Sequence, residues 1–437
     1  MTQRRNLVLG LGKTGLSVAR WLTAHGESVV VNDSRAKPPA ADAVRALGST
    51  VVTQFGGFDL NLLADADRIV VSPGVSSKEA IVCEALRQGL PVVGDIELFA
   101  GVVAAPVVAI TGTNGKSTVT TLVAEMIGAA GRRVLAGGNL GEPALDLLSL
   151  PVPDVYVLEL SSYQLESTFS LELQVAAVLN VTADHMDRYE DVTEYAAAKA
   201  SIFRRARVAI VNADDPVVRM MRPRDAINVS FSLNTPDADY TVSNQWLMRR
   251  NECLMLTNEI ALPGRHNVAN ALAALAIGDA LGLSMTAMLG VLRTFSGLPH
   301  RMQIVAEQAG VRYIDDSKGT NVGATVAAVA GLLEPLVLVA GGDGKGQDFT
   351  PLAIAFAGRV RHAVLIGRDR EALARAIGGV CSYEFSEDMG AAVAAAARAA
   401  QRGDSVLLSP ACASTDMYRD YVARGDAFAD AARRLSA

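Results

Sequence analysis

Short apolar runs separated by helix-compatible segments organise the first 95 residues. Strands are predicted near 6–10, 29–32, 68–72 and 91–94, with helices over 15–25 and 77–88 between them. Unbroken apolar runs of this length mark strands covered on both faces, as in a parallel sheet. A new unit begins between residues 95 and 106. It opens on Val107-Val108-Ala109-Ile110, enters an amphipathic helix over 119–130, and continues to buried strands at 155–158 and 175–179 and a helix over 194–203. Between about 225 and 263 the pattern shortens to alternating runs such as Leu254-Met255-Leu256, which predicts an inserted antiparallel sheet ahead of a helix over 267–281. Ser296-Gly297-Leu298-Pro299-His300 has the punctuation of a linker. Strands near 303–307, 311–315, 336–340, 363–366 and 405–409 then alternate with Ala-rich helices such as 391–400, whose composition reflects helix propensity alone. The expected fold class is α/β in three domains, over residues 1–95, 96–298 and 299–437.

Composition narrows the partners. With 437 residues, 50% of them hydrophobic, the chain is long enough for several cores. Forty Lys and Arg against 46 Asp and Glu give a net charge of -6 with no long basic run. That balance argues against nucleic-acid or anionic-membrane partners and for small molecules. Cys83, Cys253, Cys381 and Cys412 form no CxxC pair, which suits reduced thiols better than a disulfide framework or a zinc site. No signal core follows Met1-Thr2-Gln3-Arg4-Arg5, and no apolar run approaches the roughly 20 residues that cross a bilayer, so a cytoplasmic location is expected.

Two glycine-rich loops carry the candidate chemistry. Thr111-Gly112-Thr113-Asn114-Gly115-Lys116-Ser117-Thr118 stands between a strand and a helix. Its backbone N–H groups can cradle an anion at the positive helix end, Lys116 can reach the outer phosphates, and the Ser117 hydroxyl can ligate Mg²⁺. It reads as a P-loop, although the first glycine of the usual spacing would fall at Ile110. The second loop, Gly10-Leu11-Gly12-Lys13-Thr14-Gly15, follows a strand and precedes a helix, and Asp33 ends the next strand. This Rossmann-like arrangement suits NAD, or any ligand that joins a pyrophosphate to a ribose or base, such as a UDP-sugar. Glu159 ends the strand at 155–158 where a Walker B acid would sit. His185, in Asp184-His185-Met186-Asp187, is a candidate second metal ligand or substrate partner. Lys199 taken alone reads as a surface lysine.

Together these motifs resemble the Mur ligase family of peptidoglycan synthesis, over essentially the whole chain, and most closely its D-glutamate-adding branch. The resemblance implies a Rossmann-like N-terminal domain that binds the UDP-sugar, a central P-loop ATPase-like domain and a Rossmann-like C-terminal domain that binds the amino acid. It assigns Thr14, Asp33, Ser34, Arg35 and Gly74 to the UDP group and Asn139 to the muramoyl-alanine portion. It assigns Gly112, Thr113, Asn114, Gly115, Lys116, Ser117 and Thr118 to ATP, joined by Asn270 from the motif Pro263–Asn270 and by Arg301 and Asp316. Ser117 and Glu159 would hold one Mg²⁺, and His185 and a carbamylated Lys199 a second, with Lys116, His185 and Lys199 catalytic. Lys318, Thr320, Lys345, Ser414 and Tyr421 would receive glutamate, Tyr421 standing where the family commonly has phenylalanine. ATP and two Mg²⁺ ions, UDP-N-acetylmuramoyl-L-alanine and D-glutamate are the implied ligands, and the implied state is a monomer without nucleic-acid or membrane partners. Rival readings are a folylpolyglutamate synthase relative, an NAD-dependent dehydrogenase with an accessory ATPase domain, and a non-catalytic nucleotide sensor.

Overall fold

The computed structural model describes residues 4–262 and 264–435; Pro263, the first residue of the motif before Asn270, lies outside them. The described residues form three sheets. In the first, β1 (Arg5–Leu9), β2 (Ser28–Asp33), β3 (Val51–Phe55), β4 (Arg68–Val71) and β5 (Val92–Val93) lie parallel in the order 3-2-1-4-5. The strand β3 escaped the sequence reading because its outward side chains are half-buried or exposed, so Val51-Val52-Thr53-Gln54-Phe55 shows no clean apolar run.

The second sheet contains β6 (Val107–Thr111), β7 (Val134–Gly138), β8 (Val155–Glu159), β9 (Leu173–Val178), β10 (Ala206–Asn212), β11 (Ile227–Phe231), β12 (Tyr240–Ser243), β13 (Trp246–Arg249) and β14 (Glu252–Leu256). Their order is 14-13-12-11-10-9-6-8-7. The expected antiparallel insert is present, but as part of the central sheet. β12, β13 and β14 are antiparallel to one another but continue the central sheet, because β11 pairs in parallel with both β10 and β12. Backbone pairing at Phe231↔Tyr240 makes the join, which alternation of apolar residues cannot reveal.

The third sheet contains β15 (Gln303–Gln308), β16 (Val311–Asp315), β17 (Leu336–Gly341), β18 (Val360–Ile366), β19 (Ser382–Phe385) and β20 (Ser405–Leu408), in the order 15-16-20-17-18-19. Only the β15–β16 pair is antiparallel. Alternate residues of β17, β18 and β20 feed two buried clusters, one on each face of this sheet, which explains why these strands read as continuous apolar runs.

In each sheet the informative loop leaves a strand at which the strand order changes direction. Such switch points open a crevice outside the carboxyl ends of the strands. Gly10 follows β1, Gly112 follows β6, and the loops after β16, β17 and β20 begin at Asp316, Gly342 and Ser409. By contacts the chain forms two compact units. The first comprises residues up to Val181 with Thr193–Thr257 and Asn270–Arg293; the second comprises Thr182–Val192, Asn258–Ala269 and the residues from Thr294 onward. No helix among the described residues is long and apolar enough to cross a membrane.

Candidate active site

In the first unit, the loop after β1 opens on a cleft of about 490 Å³. Thr14, Asp33, Ser34, Arg35, Gly74 and Asn139 all line it, so the structure brings together the six residues expected to hold the UDP-sugar. The loop is shaped by close approach: a Cβ on Gly15 would lie 2.0 Å from the Gly10 carbonyl oxygen, and Gly10 itself has φ +86°. The Ser72 hydroxyl donates to that same carbonyl at 2.7 Å. Asp33 accepts from the Leu11 N–H at 2.6 Å and from the Arg35 N–H and guanidinium at 2.6–2.8 Å. Burial opposes ionisation of Asp33, but these donors outweigh it and hold the carboxyl below its ordinary value. The far wall comes from the second sheet. Lys13 Nζ donates to the Gly141 carbonyl at 2.7 Å, and the Ser17 hydroxyl and Arg20 guanidinium both reach Asp146.

Also in the first unit, the loop after β6 wraps toward the helix Lys116–Ala129. Gly115 caps that helix at φ +83°, and a Cβ there would sit 2.5 Å from Asn270 Oδ1. The adenine-side residue of the expected site is therefore packed against the loop itself. Asn180 clamps the loop from β9: its carbonyl accepts from the Thr113 N–H, its Oδ1 from the Asn114 N–H, and its Nδ2 donates to the Asn114 carbonyl. Thr113 Oγ1 lies 3.3 Å from the Tyr195 hydroxyl. Asn180 and Tyr195 were missed as loop supports, although an asparagine directly at the end of a buried strand is a signal of that kind.

Lys116 Nζ donates to the Gly112 and Thr113 carbonyls, both at 2.8 Å. Lys199 Nζ donates to the same Gly112 carbonyl at 3.0 Å. The surface reading of Lys199 is thereby corrected: the residue is 1% exposed, because it shares the inward face of its helix with Tyr195, over whose ring the ammonium lies at 4.3 Å. Glu159 is 2% exposed and pairs in register with Ile110, which places it beside the loop. Asn139 Nδ2 donates to Glu159 Oε1 at 2.6 Å, so a wall residue of the cleft after β1 touches the acid beside the loop after β6. The glycine-lined cradle, the Ser117 hydroxyl and the Glu159 carboxylate form a donor set that fits a triphosphate with Mg²⁺. No cluster of three or more His, Cys, Asp or Glu gathers as a metal site among the described residues.

His185 and Thr118 fall differently. Thr118 is buried in the first helical turn with Ser117. His185 belongs to the second unit, at φ 60°, with its ring 3.7 Å from Asp184. Asp184 in turn accepts from Asn321 Nδ2 at 3.1 Å.

In the second unit, the loops after β16, β17 and β20 are knitted together. Asp343 and Ala413 exchange backbone hydrogen bonds, and the Ala411 N–H donates to Gly319. Lys345 follows Asp343 by two residues and Ser414 follows Ala413, while Lys318 and Thr320 flank Gly319. Lys318 Nζ stands 3.9 Å above the Tyr421 ring. Asp316 is buried and accepts from Ser409 Oγ at 2.8 Å; burial raises its carboxyl to about 7 against the pull of Ser409 and of Arg301. Four of the expected glutamate residues, Lys318, Thr320, Lys345 and Ser414, thus lie on loops that one hydrogen-bond network draws together, and the fifth, Tyr421, opens the helix Tyr421–Arg434, its carbonyl accepting from the Ser317 hydroxyl at 2.8 Å.

Arg424 is the hub of that network and was missed. It is 1% exposed; its Nε donates to Ser317 Oγ at 3.0 Å, Nη2 to the Ser317 carbonyl at 2.8 Å, and Nη1 to the Cys412 carbonyl at 3.1 Å. The signal lay in the spacing, because Arg424, Phe428 and Ala432 recur every four residues and all three are buried. Arg424→Leu leaves several buried carbonyls without a donor. A stability loss of about 3 kcal/mol is expected in denaturant unfolding, with a larger rise in KM for glutamate than for ATP. A stability loss with no change in glutamate KM would show that the loops keep their geometry without the guanidinium.

Comparison with known proteins agrees in all three parts of the chain. The Mur ligase MurD-like N-terminal domain matches residues 4–94, the Mur ligase middle domain residues 110–278, and the Mur ligase glutamate ligase domain residues 300–412. A UDP-N-acetylmuramoylalanine--D-glutamate ligase of Nitrosococcus oceani is 51% identical over 438 residues, covering 98% of this chain and 96% of the relative. The protein of the same name from Marinobacter nauticus is 49% identical, covering 98% of each. Among solved structures, the UDP-N-acetylmuramate-alanine ligase of Thermotoga maritima superposes with a TM-score of 0.62 at 19% identity over 99% of both chains, which shows the shared fold. The chain belongs to the Mur ligase family.

Proposed function

We infer that this protein is an ATP-dependent ligase that forms an amide bond between UDP-N-acetylmuramoyl-L-alanine and D-glutamate in cytoplasmic peptidoglycan precursor synthesis. The observation that carries the reading is the Asn139–Glu159 hydrogen bond, which ties a UDP-sugar cleft to a phosphate loop in one compact unit. A ligase that phosphorylates the far end of a UDP-sugar needs its sugar cleft and its phosphate loop adjacent in this way. The relatives' activity supports the same reading.

In the proposed reaction a carboxylate oxygen of L-alanine bonds to the γ-phosphorus of ATP as the bond to the bridging β,γ-oxygen breaks and ADP leaves, giving an acyl phosphate. The glutamate amine then attacks its carbonyl carbon, the new C–N bond forms, the C–O bond to phosphate breaks, phosphate leaves, and the nitrogen gives up a proton to solvent or the departing phosphate. The chain's part is positioning and charge neutralisation. Gly112–Thr118 would cradle the phosphates, Lys116 would turn from the loop carbonyls to the transferring group, Asn270 would meet the adenine, and Arg301 and Asp316 would meet phosphate and ribose. Ser117 and Glu159 would hold one Mg²⁺, and His185 with a carbamylated Lys199 a second; bound metal would screen the triphosphate. Thr14, Asp33, Ser34, Arg35 and Gly74 would take the UDP group and Asn139 the muramoyl-alanine portion. Lys318, Thr320, Lys345, Ser414 and Tyr421 would take the two glutamate carboxylates. The working domains are 1–95, 96–298 and 299–437, and the protein acts as a monomer.

The direct test is phosphate release from ATP with UDP-N-acetylmuramoyl-L-alanine and each glutamate enantiomer added separately; D-glutamate should support turnover. Calorimetry should show the UDP-sugar, and not NAD, binding at the cleft after β1. Micromolar NAD binding without a response to the UDP-sugar would overturn the assignment.

A further inference from the structure

The chain leaves the first sheet through Val92–Val93 and enters a short helix, Asp95–Ala100. Four hydrogen bonds fasten this exit to residues 164–170. The Gly94 N–H donates to the Ser167 carbonyl at 3.1 Å, Gln164 Nε2 to Asp95 Oδ2 at 3.2 Å, and the Phe169 and Ser170 N–H groups to Glu97 at 2.6 and 3.0 Å. Asp95 is 1% exposed, and its second oxygen, Oδ1, accepts no hydrogen bond. A buried carboxylate half-used in this way is costly to keep and calls for a reason.

Gln164 supplies one. It lines the cleft after β1, and its carboxamide partners within the protein leave one N–H unused. Its Oε1 takes the Ser161 N–H and hydroxyl at 3.2 Å, and one Nε2 hydrogen goes to Asp95. A carboxylate can only accept and the Ser161 N–H can only donate, so Asp95 and Ser161 together set the nitrogen of this amide toward Asp95. The second N–H is left as a donor for an oxygen-rich ligand.

We propose that Asp95 is a positioning residue for the UDP-sugar, fixing the orientation of the Gln164 carboxamide in the cleft. This rests on the reading of the cleft as a UDP-sugar site. Burial raises the Asp95 carboxyl to about 6 against the pull of the Gln164 hydrogen bond. Either protonation state leaves at least one oxygen to accept from Gln164.

The test is steady-state kinetics and calorimetry on the full chain. Asp95→Leu keeps the packing and removes the acceptor. KM and Kd for the UDP-sugar should rise about tenfold while the values for ATP stay within about twofold, and Asp95→Asn, which retains an acceptor oxygen, should restore most of the loss. Gln164→Ala should reproduce the effect, and the Asp95→Leu, Gln164→Ala double variant should be no worse than either single variant. Additive losses, equal losses for both substrates, or an unchanged UDP-sugar KM would overturn the proposal. Should Asp95→Leu fail to fold, Gln164→Ala decides alone, since without its effect Asp95 has nothing to act through. Failure of the wild-type protein to bind the UDP-sugar would instead overturn the function assigned to the cleft.

Discussion

Lys199→Ala is expected to lower kcat at least about 100-fold while leaving the protein folded. Two ammonium groups, those of Lys116 and Lys199, converge on the single carbonyl of Gly112 in the site proposed for the triphosphate. Conversion of Lys199 to a carbamate, as proposed, would replace that like-charge approach with an anion suited to a metal. Lys199→Gln separates the two roles open to this side chain. It preserves a donor for the Gly112 carbonyl but cannot become a carbamate, so its activity should be as low as that of Lys199→Ala. Near-wild-type turnover in Lys199→Gln would reduce Lys199 to a support for the loop. A surface lysine, by contrast, would shift stability by within about 0.5 kcal/mol and leave the rate alone.

Lys345→Glu should lower kcat/KM for D-glutamate by roughly 30-fold or more with little change in ATP affinity, because an unpaired carboxylate in a partly buried site costs on the order of 2–5 kcal/mol. Lys345 adopts φ 51°, which only a tightly determined loop imposes on a residue other than glycine, and its N–H is held by Asp343 Oδ1 at 3.0 Å. The side chain therefore leaves the backbone from a fixed point, two residues past the bridge between Asp343 and Ala413. Kinetics with D-glutamate, L-glutamate and D-alanine check this, and an unchanged glutamate response would place the pocket elsewhere.

Strands buried on both faces and loops rich in glycine were legible without coordinates, since both are local. β6 with Gly112–Thr118 and β1 with Gly10–Gly15 needed only apolar runs followed by backbone that must turn tightly. The association of Thr14, Asp33, Arg35 and Asn139 in one cleft was reached through family resemblance, because Asn139 is more than a hundred residues from the others and no spacing rule joins them. Features created by packing stayed hidden. Lys199 and Arg424 are charged residues on inward helix faces, where propensity favours solvent and only the neighbours at i+4 or i−4 betray burial. Gln164 carries no sequence signal of its own, because its meaning depends on Asp95, 69 positions earlier.

The ragged membership of the second compact unit bears on protein engineering. That unit draws on Thr182–Val192 and Asn258–Ala269 as well as the residues from Thr294 onward, and Asn321 caps its own helix while donating to Asp184 of the first of those stretches. A chimera that exchanged residues 299–437 for the matching portion of a relative, in order to change the amino acid added, would retain Asp184 from one parent and face it with a foreign side chain at position 321. Grafting the two short central stretches with the C-terminal portion keeps those partners native to each other, so specificity exchange in this fold calls for a three-piece transplant in place of a single splice.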